Sequence, residues 1–293
     1  MPDPSFLLDG VRLAATKADP GLHIVATPIG NLGDISVRAL KTLAGADHIA
    51  VEDTRHTGRL LTHFGIETPM MRYDEHSAAA QRPRILAVLA DGGSVALVSD
   101  AGTPLISDPG YKLVSEARAA GARVHAVPGA SAVVAALSVA GLPTDAFMFA
   151  GFLPPKTAAR RNRIEALATV PATLAFYEAP HRLGAALADL SEVLGPRDAI
   201  VARELTKRFE TVDNGTLADL AARYGETDVK GEIVILVGPP GEVVVDEAEA
   251  ETLLGEALTR LPASAAAAEV AKVTGRNRRE LYRLAMALKG GAQ

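Results

Sequence analysis

The stretch VALVSDAGTPLISDPG, residues 95–110, pairs a short continuous apolar run with a turn built on Gly102 and Gly110. Such a run, cut off by glycine and proline, reads as a buried strand feeding a loop. The pattern recurs outward along the chain. LHIVA (22–26) runs into TPIGNLGD (27–34), and RVHAV (123–127) runs into VPGASA (127–132). His48 to Glu52 makes a further strand. Helical stretches lie between: Ser36 to Leu43 with Ser36 as N-cap, Thr54 to His63, residues 76–90, and a helix with Pro109 in its first turn that ends at Gly121. Ala130 to Ala140 forms another, closed by Gly141 and Pro143. Strands alternating with helices predict a largely parallel, helix-covered sheet. In such sheets ligands bind beyond the carboxyl ends of the strands, where these three glycine turns gather. Asp100 and Asp108 add carboxylates beside the glycines.

The break at Gly141–Pro143 and the loop GFLPPK (151–156) divide the chain. Beyond it, strands are predicted at 146–150, 172–177, 198–203, 208–212 and 232–237, with helices at 158–168, 180–193 and 216–224. The strands near 200 and 210 are close enough to pair antiparallel, so this second sheet is mixed. Pro239, Pro240 and Gly241 end it, and helices follow near 246–258, 264–273 and 277–289. The expected organisation is a disordered tail (1–20), an α/β domain (21–143), a second α/β domain (144–241) and a helical C-terminal region (242–293).

Composition narrows the chemistry. Among 293 residues there is no cysteine, which removes disulfides and thiolate-bound metals. The seven histidines show no metal-ligand spacing, so no metal is expected. No apolar run reaches the ~20 residues of a membrane span, and the first residues resemble no targeting signal, so a cytoplasmic location is expected. The net charge of −5 does not announce nucleic acid, yet two basic clusters stand out. Lys156, Arg160, Arg161 and Arg163 form one; Arg276, Arg278, Arg279 and Arg283 form the other. Each is either a phosphate-binding surface or a solvated helix face. Aromatic content of 4% without tryptophan argues against base-stacking platforms. Dinucleotide, P-loop and nucleophile-elbow signatures are all absent.

TPIGNLGDIS (27–36), EDTRHTGRLL (52–61), SDAGTPLISDPGY (99–111), PGASA (128–132), GLPTDAF (141–147), FYEAPHRL (176–183) and ARELTKRFE (202–210) together resemble the tetrapyrrole-methylase superfamily. Within it they resemble the small-subunit ribosomal RNA methyltransferases, in order over about residues 21–240; the C-terminal helices resemble that branch more weakly. Ser-Asp-Ala-Gly-Thr-Pro at 99–104 replaces the Gly-Asp-Pro usual in tetrapyrrole-making relatives, and Tyr73 stands where that RNA branch usually has histidine. The resemblance implies two α/β domains of class III methyltransferase type, with S-adenosylmethionine held between them. Implied contacts are Pro28, Ser99, Asp100, Thr103, Ser131 and Ala132 from the first domain. Tyr177, Ala202, Leu205 and Gly231, Glu232 and Ile233 come from the second. Gly102 joins them because its missing Cβ lets backbone approach a ligand.

The implied reaction is 2′-O-methylation of a decoding-centre cytidine in 16S ribosomal RNA, within an assembled or nearly assembled small subunit, by a homodimer. The alternative is a small-molecule tetrapyrrole methylase. A ribose hydroxyl needs a base or charge stabiliser, for which Glu52, Asp53, Glu204 and Lys207 are candidates. Asp53 with Arg55 also reads as a structural ion pair. Arg55, Arg182 and Arg203 are candidate phosphate holders, as are Arg276, Arg278, Arg279 and Arg283 on a tail of helix-turn-helix layout.

Overall fold

The computed structural model describes residues 3–108, 110–225, 227, 229–241, 247–274 and 276–290. Its first element corrects the sequence reading of a disordered tail. Strands β1 (Ser5–Leu8) and β2 (Val11–Ala14) pair antiparallel around Asp9 and Gly10, both at positive φ. Asp-Gly is the dipeptide that a two-residue hairpin turn favours. Phe6 is fully buried in one core cluster with Leu40, Leu43, Leu61 and Phe64. The Leu7 amide donates to the Phe64 carbonyl at 2.7 Å. One large side chain docked on the neighbouring helices orders a segment whose charges suggested none.

The first sheet contains β3 (Gly21–Val25), β4 (His48–Val51), β5 (Met70–Arg72), β6 (Ser94–Leu97) and β7 (Val124–Val127). All are parallel, in the order β5-β4-β6-β3-β7. Only β5 is missing from the sequence reading; three residues are too few to show a period. The connecting helices are α1 (Val37–Gly45), α2 (Thr54–His63), α3 (Ala78–Ala90), α4 (Tyr111–Ala119) and α5 (Ala132–Ala140). Ser36 caps α1 by accepting from the Ala39 amide, and Gly141 closes α5 at φ 67°. Pro109, placed by sequence in the first turn of α4, lies outside the described residues. Alternation along the strands sends Val25, Ile49 and Val51 towards α1 and α2, while Leu22, Ala50 and Leu97 face α3 and α4.

The second sheet has β8 (Phe147–Phe152), β9 (Thr173–Glu178), β10 (Asp198–Arg203), β11 (Thr211–Thr216) and β12 (Ile233–Val237), in the order β11-β10-β12-β9-β8. Only β8 and β9 run parallel, so the sheet is mixed as read. Its centre is the wholly buried IVILV of β12. Strand β11 starts three residues later than its sequence assignment of 208–212, because the chain turns back at Glu204 and Thr206, both at positive φ. Helix α5 packs on this sheet through Val133, Ala136 and Leu137 against Ala175, Ile200 and Val234. Residues 1–166 and 172–238 accordingly form one compact unit.

Helices α6 (Thr157–Glu165), α7 (Leu183–Leu194) and α8 (Leu217–Tyr224) accompany the second sheet. They account for one basic cluster. Arg160 is buried and donates to Asp189 at 2.6 Å, and Arg161 donates to Asp189 at 2.7 Å while also pairing with Glu192. Two of the four cations in that cluster are therefore neutralised by α7, which fits neither a phosphate-binding surface nor a solvated face.

Residues 167–171 and 239–293 form a second unit. Its helices α9 (Glu247–Leu258), α10 (Ala263–Thr274) and α11 (Arg278–Gly290) enclose a small-residue core of Ala250, Leu254, Ala266, Ala267, Leu281 and Ala285. Among the described residues no helix is long and apolar enough to cross a membrane. The hairpin makes a testable contribution: Phe6→Ala is expected to lower the unfolding free energy by ~3–5 kcal/mol, the range for emptying a buried aromatic site. Urea denaturation measures it, and a loss below ~1 kcal/mol would mean the hairpin is peripheral to the fold.

Candidate active site

Backbone pairing brings the three glycine turns together. The Thr27 amide donates to the Gly102 carbonyl at 2.9 Å, and the Gly102 amide returns a bond to Thr27 at 3.1 Å. The Thr103 hydroxyl then donates to the Ala130 carbonyl at 3.1 Å, tying in the turn after β7. Gly102 holds φ +77°, a value that glycine tolerates best. Just beyond, Leu105 and Ser107 also take positive φ without being glycine, a backbone cost that clusters at functional sites.

Beside these turns lies a cavity of about 440 Å3. Of the residues singled out in the sequence, Asp100, Gly102, Thr103, Ser131 and Ala132 line it from the first sheet's turns. Tyr177, Leu205, Gly231, Glu232 and Ile233 line it from the second sheet's side. Pro28 and Ser99 line a neighbouring cavity, and Ala202 lines neither, being buried under α5. Ser131 occupies the N-cap position of α5, yet its hydroxyl makes no cap bond. Residues the sequence reading did not choose, among them Ile106, Phe152 and Glu178, complete the wall. Asp108 also lines it; the carboxylate beside Gly110 was its signal.

Five acidic residues line this space, Glu52, Asp100, Asp108, Glu178 and Glu232, but the Glu178 side chain is wholly buried against Arg182, which leaves four carboxylates to face it. Burial pushes the Glu52 carboxyl above its ordinary range, and the charges of Asp108 and Asp100 push it further. Burial likewise raises Asp108 against a bond from Ser99, with Asp100 adding to the rise. Burial and the Asp108 charge raise Tyr177. Crowded, partly desolvated carboxylates of this kind favour a cationic guest.

The second cavity, about 290 Å3, adjoins the first and shares Ile29, Asp100, Ala101 and Glu232 with it. Lys207 lines it and bonds Glu204 at 2.8 Å and Glu232 at 3.1 Å. Two glycines make room for this cluster. A Cβ on Gly30 would lie 2.2 Å from the Lys207 Cε, and one on Gly231 would lie 2.4 Å from the Glu204 Cγ. The bond from Lys207 holds the Glu204 carboxyl below its usual value. Burial acts to lower the Lys207 pKa, but the two carboxylates outweigh it and raise it.

The remaining candidates fall elsewhere. Asp53 caps α2 and bonds the exposed Arg55 guanidinium, which drives its carboxyl far below the usual range. Arg182 pairs with buried Glu178 at 3.2 Å and donates to the Leu153 carbonyl. Arg203 donates to the Lys230 carbonyl at 3.2 Å. Arg278, Arg279 and Arg283 are exposed on α11, whereas Arg276 is half-buried.

Residues 21–221 match the family described as Tetrapyrrole (Corrin/Porphyrin) Methylases, and residues 244–289 match the RsmI C-terminal HTH domain. Ribosomal RNA small subunit methyltransferase I of Mesorhizobium japonicum is 51% identical over 280 residues, covering 95% of each chain. Its counterpart in Xylella fastidiosa (strain Temecula1) is 53% identical over 268 residues, covering 90% of this chain and 98% of the relative. Uroporphyrin-III C-methyltransferase from Thermus thermophilus shares the fold at TM-score 0.54 and 24% identity, over 75% of this chain and 94% of that one. A structure of that enzyme type complexed with S-adenosyl homocysteine gives TM-score 0.52 at 17% identity, over 74% and 97%. With so much of its length shared at about half identity, the chain belongs to the ribosomal RNA small subunit methyltransferase I family, within the tetrapyrrole methylases.

Proposed function

We propose that the protein is an S-adenosylmethionine-dependent methyltransferase that 2′-O-methylates the cytidine at position 1402 in the decoding centre of 16S ribosomal RNA. The observation that carries this is the acidic, apolar-walled cavity at the carboxyl ends of a parallel sheet, in a chain of this family. The cavity suits the cofactor. Its volume lies within the range of ligand pockets, and its carboxylates answer a sulfonium and an ammonium. Ile29, Ala132, Leu205 and Ile233 offer apolar contact to adenine, and the Ser131 hydroxyl has no cap bond to give up. The structural neighbour complexed with S-adenosyl homocysteine agrees in kind. We take the substrate to be an assembled or nearly assembled small subunit, and the working form to be a cytoplasmic homodimer.

When bound, S-adenosylmethionine supplies an electrophilic methyl group on its sulfonium sulfur. The chain's own task is to align an acceptor hydroxyl and take up its proton, and alignment alone contributes on the order of 7–11 kcal/mol. Among the four candidate bases Glu52 suits proton uptake best. It lines the cavity and its proton affinity is raised, whereas Asp53 is held by Arg55 and Glu204 by Lys207. Lys207, with its pKa raised, stays protonated near neutral pH and serves as a charge.

The deciding experiment maps methyl groups on small-subunit RNA from cells with and without the gene, with uroporphyrinogen as control substrate in vitro. A 2′-O-methyl group that disappears from the decoding centre with the gene supports the reading; methyl transfer to the tetrapyrrole alone overturns it.

Asp108 gives a pH prediction. Its carboxyl is raised in the fold, so the ionised form destabilises the ligand-free protein, and that penalty disappears as pH falls through the raised value. Asp108→Asn is therefore expected to melt higher than wild type at pH 7, the gap closing towards about pH 4. Its cofactor affinity at pH 7 should fall about tenfold, while wild-type affinity declines on acidification from neutral pH. Melting curves and calorimetry across pH check both signs.

Removing residues 262–293 is expected to weaken RNA binding with cofactor affinity unchanged, because Arg278, Arg279 and Arg283 are exposed on α11. The log–log salt slope should flatten by ~0.7–0.9 for each phosphate that is no longer neutralised. Coincident slopes for the full and shortened proteins would make the tail a structural element only.

A further inference from the structure

The two adjoining cavities differ in their charged lining. The larger is lined by the carboxylates of Glu52, Asp100, Asp108 and Glu232 and, among the described residues, by no lysine, arginine or histidine. The smaller carries His56, Arg59 and Lys207, with only the shared Asp100 and Glu232 opposing them. Lys207 is committed to Glu204 and Glu232. Arg59 is not: among the described residues no carboxylate forms a salt bridge with it. His56 and Arg59 stand three apart on α2, which puts them on one face of the helix. Ile29, Leu32 and Leu60 give the same cavity an apolar wall.

Beside Arg59 that space suits an anion with an apolar body, while its neighbour suits a cation. Building on the methyltransferase reading above, we infer that the smaller cavity receives the target ribonucleotide. Arg59 and His56 hold a phosphodiester next to it, and the sugar or base lies against Ile29, Leu32 and Leu60. A guanidinium without a carboxylate partner is suited to phosphate, which it grips through two parallel bonds. The shared wall at Ile29 to Asp100 is where the acceptor hydroxyl meets the cofactor cavity. None of the arginines singled out from sequence lines this cavity; Arg59 does, and only its place on α2 reveals it.

The test uses the full-length protein with small ribosomal subunits as substrate, comparing wild type with Arg59→Ala, Arg59→Lys and His56→Ala. For Arg59→Ala the KM for the subunit should rise about tenfold while kcat changes less than about threefold, the pattern expected when ground-state binding is removed. The salt slope of RNA binding should fall by ~0.7–0.9, the share of one phosphate, with cofactor affinity by calorimetry and the melting temperature unchanged. Arg59→Lys should recover part of the KM, since it restores charge without the fork, and His56→Ala should show a smaller rise. Wild-type KM and salt slope in Arg59→Ala overturn the assignment, as does equal loss of cofactor affinity. A wild-type protein that methylates no subunit RNA sinks the proposed function itself, a different result from active wild type with an indifferent Arg59.

Discussion

The site depends on two backbone hydrogen bonds, exchanged between Thr27 and Gly102 across the ends of adjacent parallel strands. Loops so close to a core must pair their amides and carbonyls or lose stability. Here they pair with each other, and Thr103 extends the pairing to Ala130. Backbone thus satisfies backbone, and the Ser131 hydroxyl is left to line a cavity, as is Asp100, whose carboxylate also accepts from the Asp53 amide at 3.2 Å. The crossing from β6 over β3 to β7 makes this the point where strand order reverses, the usual place for a crevice in an open α/β sheet.

The second sheet supplies the opposite wall because α5 belongs to both halves. Its Val133, Ala136 and Leu137 sit in the core of the mixed sheet, while its N-terminus carries Ser131 into the cavity. A boundary drawn at Gly141 by glycine and proline marks where the chain changes direction, and not where packing stops. Charge behaves similarly. Arg160 and Arg161 look like a nucleic-acid patch in one dimension, but Asp189 and Glu192 on the next helix cancel them.

What the sequence made legible was local. Ser36 before α1, the limits of α2 and the glycine closing α5 follow from capping chemistry that acts within a turn of helix. The three turns were legible because glycine and proline punctuate strands. The hairpin at Ser5–Ala14 was not, since its order comes from Phe6 meeting helices some 35 to 60 positions away. Pocket residues divided the same way. Asp100, Gly102 and Ser131 stand on turns that announce themselves, whereas Phe152 and Glu178 end strands with no local mark. Arg182 read as a phosphate holder because nothing in the sequence shows its ion pair with Glu178, four residues earlier, to be buried.

Lys207 lays its aliphatic stem over the bare backbone of Gly30, in a turn of the first sheet, and ends its ammonium between Glu204 and Glu232, in two turns of the second. Mechanically it is a strut whose stiffness is electrostatic. Parting the second sheet's two turns means separating charges that are about three-quarters shielded from water at the lysine and at Glu204, yet largely open to it at Glu232. The inner contact resists counterions and the outer one yields to them. One wall of the smaller cavity is therefore held by two contacts of unequal character, an inner one at Glu204 that dissolved ions barely reach and an outer one at Glu232 that they weaken.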